Sequence, residues 1–316
     1  MPSLPRIAFL GVGLMGAPMA HRLLAAAYRL RVWNRHADKA AALVAAGAIA
    51  AQQPSDAVAD ADIVISMLAD GAVVRQVMEQ ALPALRPGAL WIDMSSTGQD
   101  EALACHALLE SHGIAFMDAP VSGGVAGAQA GALAIMAGGT APGGTAPGGT
   151  APDSTAPNFT RALPILRTLG TPVLVGAVGS GQVAKLCNQL IVGATLHVVA
   201  EALLLAEAAG ADPAAVRQAI SGGFAASRIL EVHGQRMLTR DFLPGGQVKT
   251  QLKDMHNILA AAAAADLHLP LTELVTRRYA SIADAHPHAD HSAALLALEQ
   301  LNPGRRLGQG PDRLPN

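Results

Sequence analysis

Blocks of apolar residues alternate with helical patterns along the first half of the chain. Five apolar runs, each bounded by turn residues, have the length of buried strands: Ile7–Leu10, Arg29–Trp33, 63–68, 91–96 and 115–120. Between the first two runs, Met19, Leu23 and Leu24 recur at the spacing of one helix face. Strands that alternate with helices predict an α/β fold with a doubly wound sheet.

The second half follows the helical period throughout, which predicts an all-α domain. Its first helix, Gly181–Ala209, is unusually long and ends at Gly210. Asp212 and Pro213 then supply the N-cap and the first residue of the next helix. The later helices are expected near 213–221, 225–237, 248–265 and 270–284.

The chain divides by composition as well as by pattern. We assign residues 1–179 to the α/β domain and 180–302 to the helical domain, and we expect 303–316, rich in Gly, Pro and Arg, to be a disordered tail. Residues 140–157, TAPGGTAPGGTAPDSTAP, repeat with a period of five and have no apolar face, which predicts a mobile surface insert. A Pro-rich partner-binding segment is the alternative, but it lacks aromatic or basic anchors.

Composition narrows the functional classes. Of 316 residues, 51% are hydrophobic and 15% are charged, and the net charge of −2 gives no attraction to nucleic acid or anionic membranes. The two cysteines lie in helical-looking stretches, and the first residues, MPSLPRIAFLG, lack the apolar segment of a secretory signal. Residues 189–209 are apolar, but Glu201 and Glu207 interrupt them, which favours a buried helix over a membrane span. We expect a cytoplasmic protein.

A glycine-rich turn follows the first strand. Gly11, Gly13 and Gly16 form the pattern G-x-G-x-x-G between a strand and a helix. In dinucleotide-binding domains of the Rossmann type, these glycines allow the tight turn, the approach of a pyrophosphate and close helix packing. A plain structural turn is the alternative. The candidate cofactor residues are those of the whole turn: Gly11, Val12, Gly13, Leu14, Met15 and Gly16.

The second strand ends in Asn34 and Arg35, where an NAD enzyme usually presents an Asp or Glu to the ribose hydroxyls. A guanidinium suits a 2′-phosphate, which a carboxylate would repel. The pair therefore favours NADP(H), with NAD(H) as the alternative if Arg35 is an ordinary surface residue.

Three further loops open at the carboxyl edge of the predicted sheet, where ligands bind in such folds. The first two place Met67, Leu68 and Ser96 as candidate cofactor residues. In the third, Ser122, Gly123 and Gly124 offer a hydroxyl and unhindered N–H groups that suit a carboxylate, although an ordinary turn explains them equally well.

One lysine stands near the start of the long apolar helix. Lys185 is the only Lys or Arg between Arg167 and Arg217. A buried ammonium is costly unless paired and suits proton transfer, whereas a lysine on a helix can also extend its charge into water. Asn188 and Gln189 share the face of Lys185, so an ammonium and two amides are expected to converge where the two domains meet.

Two other polar patterns have simpler interpretations. Lys253 and Asp254 lie in an amphipathic helix, where a solvated charge pair is expected on pattern alone. The segment HPHADH, 286–291, combines three histidines with Asp290, but its proline breaks a helical register and its spacing matches no strong zinc template. We expect a polar interhelical loop there and no metal site.

Four motifs in this order resemble the β-hydroxyacid dehydrogenase family over roughly residues 6–302: FLGVGLMGAPMA, DAPVSGG, GSGQVAKLCNQ and QLKDM. The Asn-Gln pair at 188–189, with ISGGFAASRILE and ADHSAL, is similar to the tartronate semialdehyde reductase branch of that family. The resemblance implies that Lys185 is the catalytic lysine and Ser122–Gly124 the substrate-carboxylate loop. It also implies that Ser96 contacts the cofactor and that Lys253 lies near the nicotinamide.

The resemblance implies reduction of a small semialdehyde acid by NAD(P)H, with Lys185 as general acid and base. Asn188 and Gln189 would orient the substrate, although many members have Asn where this chain has Gln189. The alternatives are a 3-hydroxyisobutyrate dehydrogenase, a glyoxylate or succinic semialdehyde reductase, an imine reductase, and a catalytically idle NADP-binding sensor or scaffold. A homodimer or homotetramer joined through the helical half is expected, because residues 213–284 carry more apolar faces than one small domain needs.

Overall fold

The computed structural model describes residues 4–139 and 156–315. The predicted surface insert at 140–157 therefore falls almost entirely outside the described residues. Contacts within the chain define two compact units, residues 1–185 and 186–316.

The first unit contains one nine-stranded sheet. Its strands are β1 (Arg6–Leu10), β2 (Arg29–Trp33), β3 (Ile49–Ala50), β4 (Ile63–Ser66), β5 (Leu90–Asp93), β6 (Ala115–Asp118), β7 (Val121–Ser122), β8 (Leu133–Gly138) and β9 (Gly170–Gly176). Strands β3, β2, β1, β4, β5 and β6 are parallel neighbours in this order, and β8 pairs antiparallel with β6 and β7 and parallel with β9. The predicted doubly wound sheet is confirmed, and β8 adds an antiparallel strand that the apolar runs did not reveal.

Helices cover both faces of this sheet. They are α1 (Gly16–Ala25), α2 (Ala41–Ala45), α3 (Pro54–Val58), α4 (Gly71–Ala81), α5 (Gln99–Glu110), α6 (Gly124–Ala130) and α7 (Pro157–Leu169), with short 3-10 helices at Ala37–Ala40 and Leu82–Ala84. Along β1, Ile7 and Phe9 pack into one core cluster, and Ala8 and Leu10 pack into another on the opposite face. Because both faces are buried, the strand is apolar at every inner position and does not alternate.

One long helix begins in the first unit and continues in the second. This helix, α8 (Ser180–Ala208), has 29 residues and confirms the predicted long helix, with Gly210 in a left-handed conformation just beyond its end. By length and composition it is the one described helix that could cross a membrane, but 44% of its most apolar window is buried inside the structure. Leu196, Ala200 and Leu203 lie in the core of the second unit, whereas Ile191, Val198 and Leu205 are exposed, so the helix is buried along one face only.

The remaining helices build the second unit. They are α9 (Pro213–Ile220), α10 (Arg228–Thr239), α11 (Val248–Ala264), α12 (Pro270–Ala283) and α13 (Ala294–Leu301), with a 3-10 helix at His291–Ala293. Asp212 caps α9 by accepting from the N–H of Ala214, as the sequence predicts. Ser227 caps α10 in the same way, so that helix begins at Arg228, three residues after its predicted start.

The chain after α13 corrects the prediction of a disordered tail. Leu307 is buried in the core of the second unit, and the backbone of Arg313 exchanges hydrogen bonds with Arg240 and Phe242. The buried guanidinium of Arg240 binds the carboxylate of Asp312 and the carbonyl oxygen of Leu307. The composition gave the wrong prediction because the buried charge of Arg240, which follows the last residue of α10, requires these partners whatever the surrounding Gly and Pro content.

Candidate functional site

Two glycines of the predicted cofactor turn are required by close backbone contacts. Gly11 has φ +99°, and a Cβ atom on it would lie 2.3 Å from the carbonyl oxygen of Met67. A Cβ atom on Gly16, the first residue of α1, would lie 1.9 Å from the carbonyl oxygen of Gly11. The turn therefore folds tightly between β1 and α1, as the motif predicts.

The middle of the same turn faces open space. A Cβ atom on Gly13 would meet no other heavy atom within 4 Å, and the side chain of the next residue, Leu14, is 61% exposed. An open glycine backbone before a helix N-terminus is the cradle that a pyrophosphate requires. These residues fit a dinucleotide.

The end of β2 lies beside this turn. The N–H of Gly11 donates to the carbonyl oxygen of Trp33 at 2.8 Å, and the N–H of Val12 donates to Asn34 Oδ1 at 3.1 Å. Asn34 therefore holds the turn, while the guanidinium-bearing side chain of Arg35 next to it is exposed. This geometry leaves Arg35 available to a negatively charged group bound near the turn.

A buried carboxylate organises the loops that follow β4 and β5. Asp93 Oδ1 accepts from the hydroxyls of Ser66 at 2.7 Å and Ser95 at 2.6 Å. The Ser95 hydroxyl also accepts from the N–H of Leu68 at 2.9 Å. Asp93 thus fixes the two loops that carry Met67, Leu68 and Ser96. Burial raises the pKa of Asp93 to about 6, against the hydroxyl hydrogen bonds that favour its ionised form.

A second buried carboxylate fixes the start of α8. Asp118, the last residue of β6, accepts from the N–H of Gly179 with Oδ1 and from the N–H of Gln182 with Oδ2, both at 2.8 Å. A Cβ atom on Gly181 would lie 2.4 Å from the carbonyl oxygen of Met136, so only glycine allows this approach. Burial raises the pKa of Asp118 to about 7, although its two backbone donors favour the carboxylate.

Gln182 ties the same helix turn to the loop after β5. Its Oε1 accepts from the N–H of Thr97 at 3.0 Å, and its Nε2 donates to the carbonyl oxygen of Ser95 at 2.9 Å. Lys185 follows one turn later and is only 8% exposed, so it is not an ordinary surface lysine. The helix turn before the candidate catalytic lysine is therefore anchored to the end of β6 and to the loop after β5.

The predicted carboxylate loop lies between β7 and α6. Ser122 is half-buried and pairs with Ala134 of β8. Gly123 and Gly124 follow with φ +134° and +63°, and a Cβ atom on Gly124 would meet nothing within 4 Å. Their backbone is therefore accessible beside a serine hydroxyl, which suits an anionic group.

In the second unit, the amides that follow Lys185 on α8 belong to a side-chain network. Gln189 Nε2 donates to Asp254 Oδ2 at 2.7 Å and to Gln251 Oε1 at 3.2 Å. Gln189 Oε1 accepts from Asn188 Nδ2 at 2.8 Å. Gln189 is thus held by α11 and in turn holds Asn188.

The candidate cofactor lysine belongs to the same part of α11. Lys253 Nζ lies 3.2 Å from Asp254 Oδ1, and Asp254 is buried. The pair is an ion pair with a buried partner, whereas the sequence pattern suggested a solvated one.

The histidine-rich segment differs from the expected polar loop. Asp290 is buried, and its ligand atoms lie within 4.8 Å of those of His233 and His291, a separation that a metal ion could bridge. Both oxygens of Asp290 already accept backbone N–H groups, from Gly245 and Gly246 at Oδ2 and from Ser292 at Oδ1. That a metal is absent from this segment stays a prediction.

Sequence reasoning missed the residues that hold the site together. Asp93 and Asp118 each end a buried parallel strand, and an acidic residue at that position was the signal available in the chain. Gln182 stands within the GSGQ motif. Gln251 is the first residue of the QLKDM motif, but only the packing of α11 against α8 shows that its amide bonds to Gln189.

Comparison with known proteins covers both units. Residues 6–144 match the family model of the NAD binding domain of 6-phosphogluconate dehydrogenase. Residues 179–298 match the model described as NAD-binding of NADP-dependent 3-hydroxyisobutyrate dehydrogenase.

Curated and solved relatives extend over nearly the whole chain. The 2-hydroxy-3-oxopropionate reductase of Escherichia coli (strain K12) is 38% identical over 301 residues, which are 94% of this chain and 98% of the relative. A probable 3-hydroxyisobutyrate dehydrogenase of Mycobacterium bovis is 36% identical over 302 residues, 92% of this chain and 97% of the relative. The structure of Mycobacterium tuberculosis 3-hydroxyisobutyrate dehydrogenase with L-serine is 33% identical, has a TM-score of 0.81 and covers 94% of this chain and 99% of its own.

Proposed function

Because the chain belongs to the β-hydroxyacid dehydrogenase family and is an NAD(P)-dependent oxidoreductase, we propose that it reduces a small semialdehyde acid with NADPH. The substrate is of the tartronate semialdehyde type, and the product is the corresponding hydroxyacid. The observation that carries this proposal is the buried Lys185, one turn after a helix start that Asp118 and Gln182 anchor to the sheet edge.

In this proposal Lys185 moves the proton. The glycine turn would hold NADPH, which would supply the hydride for reduction of the aldehyde carbon. The ammonium of Lys185 donates a proton to the carbonyl oxygen as that oxygen gains negative charge, and the neutral amine takes a proton back in the oxidative direction. The charged form also stabilises the developing oxyanion before the proton is transferred.

The substrate carboxylate is assigned to the Ser122–Gly124 loop. Gly123 and Gly124 have positive φ, and the open space at Gly124 lets this turn offer backbone N–H groups next to the Ser122 hydroxyl. Asn188 orients the substrate, because Gln189 already uses both ends of its amide within the second unit. The departure from Asn to Gln at position 189 thus transfers the orienting role to its neighbour.

The cofactor is assigned as NADP(H) in preference to NAD(H). The side chain of Arg35 is exposed beside the glycine turn, and Asn34 uses its amide oxygen to hold Val12 and presents no carboxylate to the ribose. A guanidinium can form charge-assisted hydrogen bonds to a 2′-phosphate.

Initial-rate assays test the proposed substrate and cofactor together, with NADPH and NADH for the aldehydes and the imine and with NADP+ and NAD+ for the hydroxyacids. The panel contains tartronate semialdehyde, glyoxylate, succinic semialdehyde, 3-hydroxyisobutyrate, L-serine and a cyclic imine. We expect the highest kcat/KM for tartronate semialdehyde with NADPH. A higher value for 3-hydroxyisobutyrate or L-serine in the oxidative direction would replace this proposal by that of a 3-hydroxyacid dehydrogenase.

We also propose that the chain forms a homo-oligomer through α8 of the second unit. Ile191, Val198 and Leu205 recur every seven residues along this helix, and each is more than half exposed. Such an apolar stripe is typical of a surface covered by a partner. Light scattering should give at least twice the single-chain mass, and Val198→Glu should lower it, whereas a single-chain mass for the parent would contradict the proposal.

A further inference from the structure

In the second unit a series of neighbouring polar side chains connects the buried carboxylate of Asp290 to Gln189. Asp290 Oδ2 accepts from the N–H groups of Gly245 at 3.0 Å and Gly246 at 3.1 Å, and Oδ1 accepts from the N–H of Ser292 at 3.0 Å. Burial opposes ionisation of Asp290, but its contact with His233, the donors of Ser292 and the nearby guanidinium of Arg236 hold its pKa well below the usual range. Asp290 is therefore an acceptor only.

This carboxylate determines which nitrogen of His233 carries hydrogen. His233 Nδ1 lies 3.3 Å from Asp290 Oδ1, outside the geometry of a regular hydrogen bond but close enough that a lone pair on Nδ1 would be repelled. The hydrogen therefore lies on Nδ1. In a neutral ring Nε2 then has a lone pair, and it faces His291 Nε2 at 3.4 Å.

At the other end of this series, hydrogen bonds determine the orientation of the Gln189 and Gln251 amides. Gln189 Nε2 donates to the carboxylate of Asp254 at 2.7 Å, and Gln251 Nε2 donates to the backbone carbonyl oxygen of Gln189 at 3.1 Å. Both partners only accept, so neither amide can be reversed without losing its bond. Gln251 Oε1 is therefore the atom that faces His291 Nδ1, at 3.4 Å, and Nδ1 must carry a hydrogen.

These two constraints meet between the histidine rings. With hydrogen on Nδ1 of both rings, two neutral imidazoles would direct lone pairs at each other across 3.4 Å, which is repulsive unless a cation lies between them. A metal ion usually has at least three protein ligands, and both oxygens of Asp290 are already used by backbone N–H groups. The guanidinium of Arg236, 3.5 Å from Asp290 Oδ1, opposes a divalent cation further. The simplest cation is a proton.

We propose that His233 and His291 share one proton more than two neutral imidazoles hold, and that this charge makes His291 a positioning residue for Gln189, acting through Gln251. Among the described residues, Asp290 contacts His233 and Arg236 contacts Asp290, and the Tyr279 hydroxyl donates to the backbone oxygen of His291. Because His291 donates to Gln251 Oε1, Gln251 keeps its amide toward Gln189. Gln189 then holds Asn188, so this role rests on the proposed function of that amide in substrate binding.

Nitrogen-15 NMR of the full-length protein, labelled at histidine, tests the proton count without any assay of activity. The signals are assigned by comparison with His233→Gln and His291→Gln, and spectra are recorded at the pH of the activity assay. We expect three nitrogen-bound hydrogens over the two rings. Two hydrogens, or one equivalent of metal per chain by elemental analysis, would overturn the proposal even if the substrate assignment is correct.

Kinetics of three variants test the positioning role. His291→Leu removes the donor to Gln251, and we expect a fall of about tenfold in kcat/KM for the aldehyde substrate through KM, the scale of one lost charge-assisted hydrogen bond. His291→Gln should restore most of this loss, because its amide can donate to Gln251 Oε1, and the Kd of NADPH should not change in either variant.

His288→Leu is the matched control, since His288 is exposed in the same segment. Equal impairment of the Leu and Gln variants, or a His291→Leu variant with the parental KM, would show that His291 does not position Gln189. If no substrate of the panel is turned over, the proposed function fails, and the NMR count still decides the shared proton.

Discussion

The two units hold their polar site groups by different means. In the first unit, Asp93 and Asp118 accept mainly from backbone N–H groups and serine hydroxyls at the ends of strands. In the second unit, Gln189, Gln251 and Asp254 bind one another, side chain to side chain, across two helices. The first arrangement depends on where the backbone runs, and the second depends on which functional groups the side chains carry.

The difference follows from the secondary structure. Parallel strands end at one edge of the sheet, where the loops that follow expose N–H groups in a fixed array. The inner N–H groups of a helix are already bonded within the helix, so only side chains can link one helix to another. We therefore expect the first unit to be sensitive to added volume near glycines and the second to be sensitive to lost polarity.

The largest effect should come from the one group assigned to proton transfer. Lys185→Ala should lower kcat by about 10²- to 10⁴-fold, the usual contribution of general acid catalysis, with an unchanged Kd for NADPH. Lys249→Ala, which removes an exposed lysine on α11, is the control and should keep parental turnover. Activity of Lys185→Ala within tenfold of the parent would remove Lys185 from the mechanism.

The next effect concerns the charge at the end of β2. Arg35→Asp should reverse the preference for NADPH by about ten- to hundredfold in relative affinity, because it removes a charge-assisted contact and adds repulsion. Arg29→Asp, at the exposed opposite end of the same strand, should leave the preference unchanged. Equal use of NADPH and NADH by the parent would mean that Arg35 does not bind the 2′-phosphate.

Helix α8 has one glycine in each unit, Gly181 and Gly193, so substitutions in a single helix can compare the two units. A Cβ atom on Gly181 would meet the backbone oxygen of Met136 at 2.4 Å, whereas one on Gly193 would meet the side-chain ends of Gln251 at 2.9 Å and Met255 at 3.0 Å. Gly181→Ala should lower the free energy of unfolding by about 1–3 kcal/mol, because the backbone cannot move away. Gly193→Ala should cost less, since flexible side chains can shift and alanine favours the helix. Thermal unfolding of both variants measures the difference, and a larger loss at Gly193 would reverse the comparison.

The smallest effect is a pH dependence from Asp93. Burial raises its pKa to about 6, above the ordinary value of 3.8, so its contribution to stability is complete below the ordinary value and is lost as pH rises through about 6. Asp93→Asn imitates the protonated form, because Ser66 and Ser95 donate only to Oδ1. Between pH 5 and 8 the parent should lose on the order of 1 kcal/mol of stability relative to Asp93→Asn. A constant difference in Tm over this range would show that Asp93 does not titrate there.

Asp118→Asn provides the contrast to that experiment. Asp118 uses both oxygens to accept backbone N–H groups, so an amide would turn a donor toward one of them. Above the Asp118 pKa of about 7, where the parent is a carboxylate, this variant should be less stable than the parent by thermal unfolding, because a buried N–H is left without its acceptor.

Periodicity and glycine spacing determined much of this protein before any contact was known. The apolar runs predicted the parallel strands because a strand buried on both faces must be apolar throughout, and Gly11 and Gly16 indicated the cofactor turn because no other residue fits their backbone. Lys185 was recognisable as unusual because it is a charged residue among apolar neighbours, and the local sequence alone shows such a contrast.

Only the tertiary structure decided which polar residues meet. Gln251 reaches Gln189 across 62 positions of sequence, His291 reaches His233 across 58, and Asp312 reaches Arg240 across 72. No local pattern encodes such a pair, because each side chain alone is compatible with an ordinary surface. The tail beyond α13 shows the same limit, since its composition predicts disorder and the buried charge of Arg240 holds it in place.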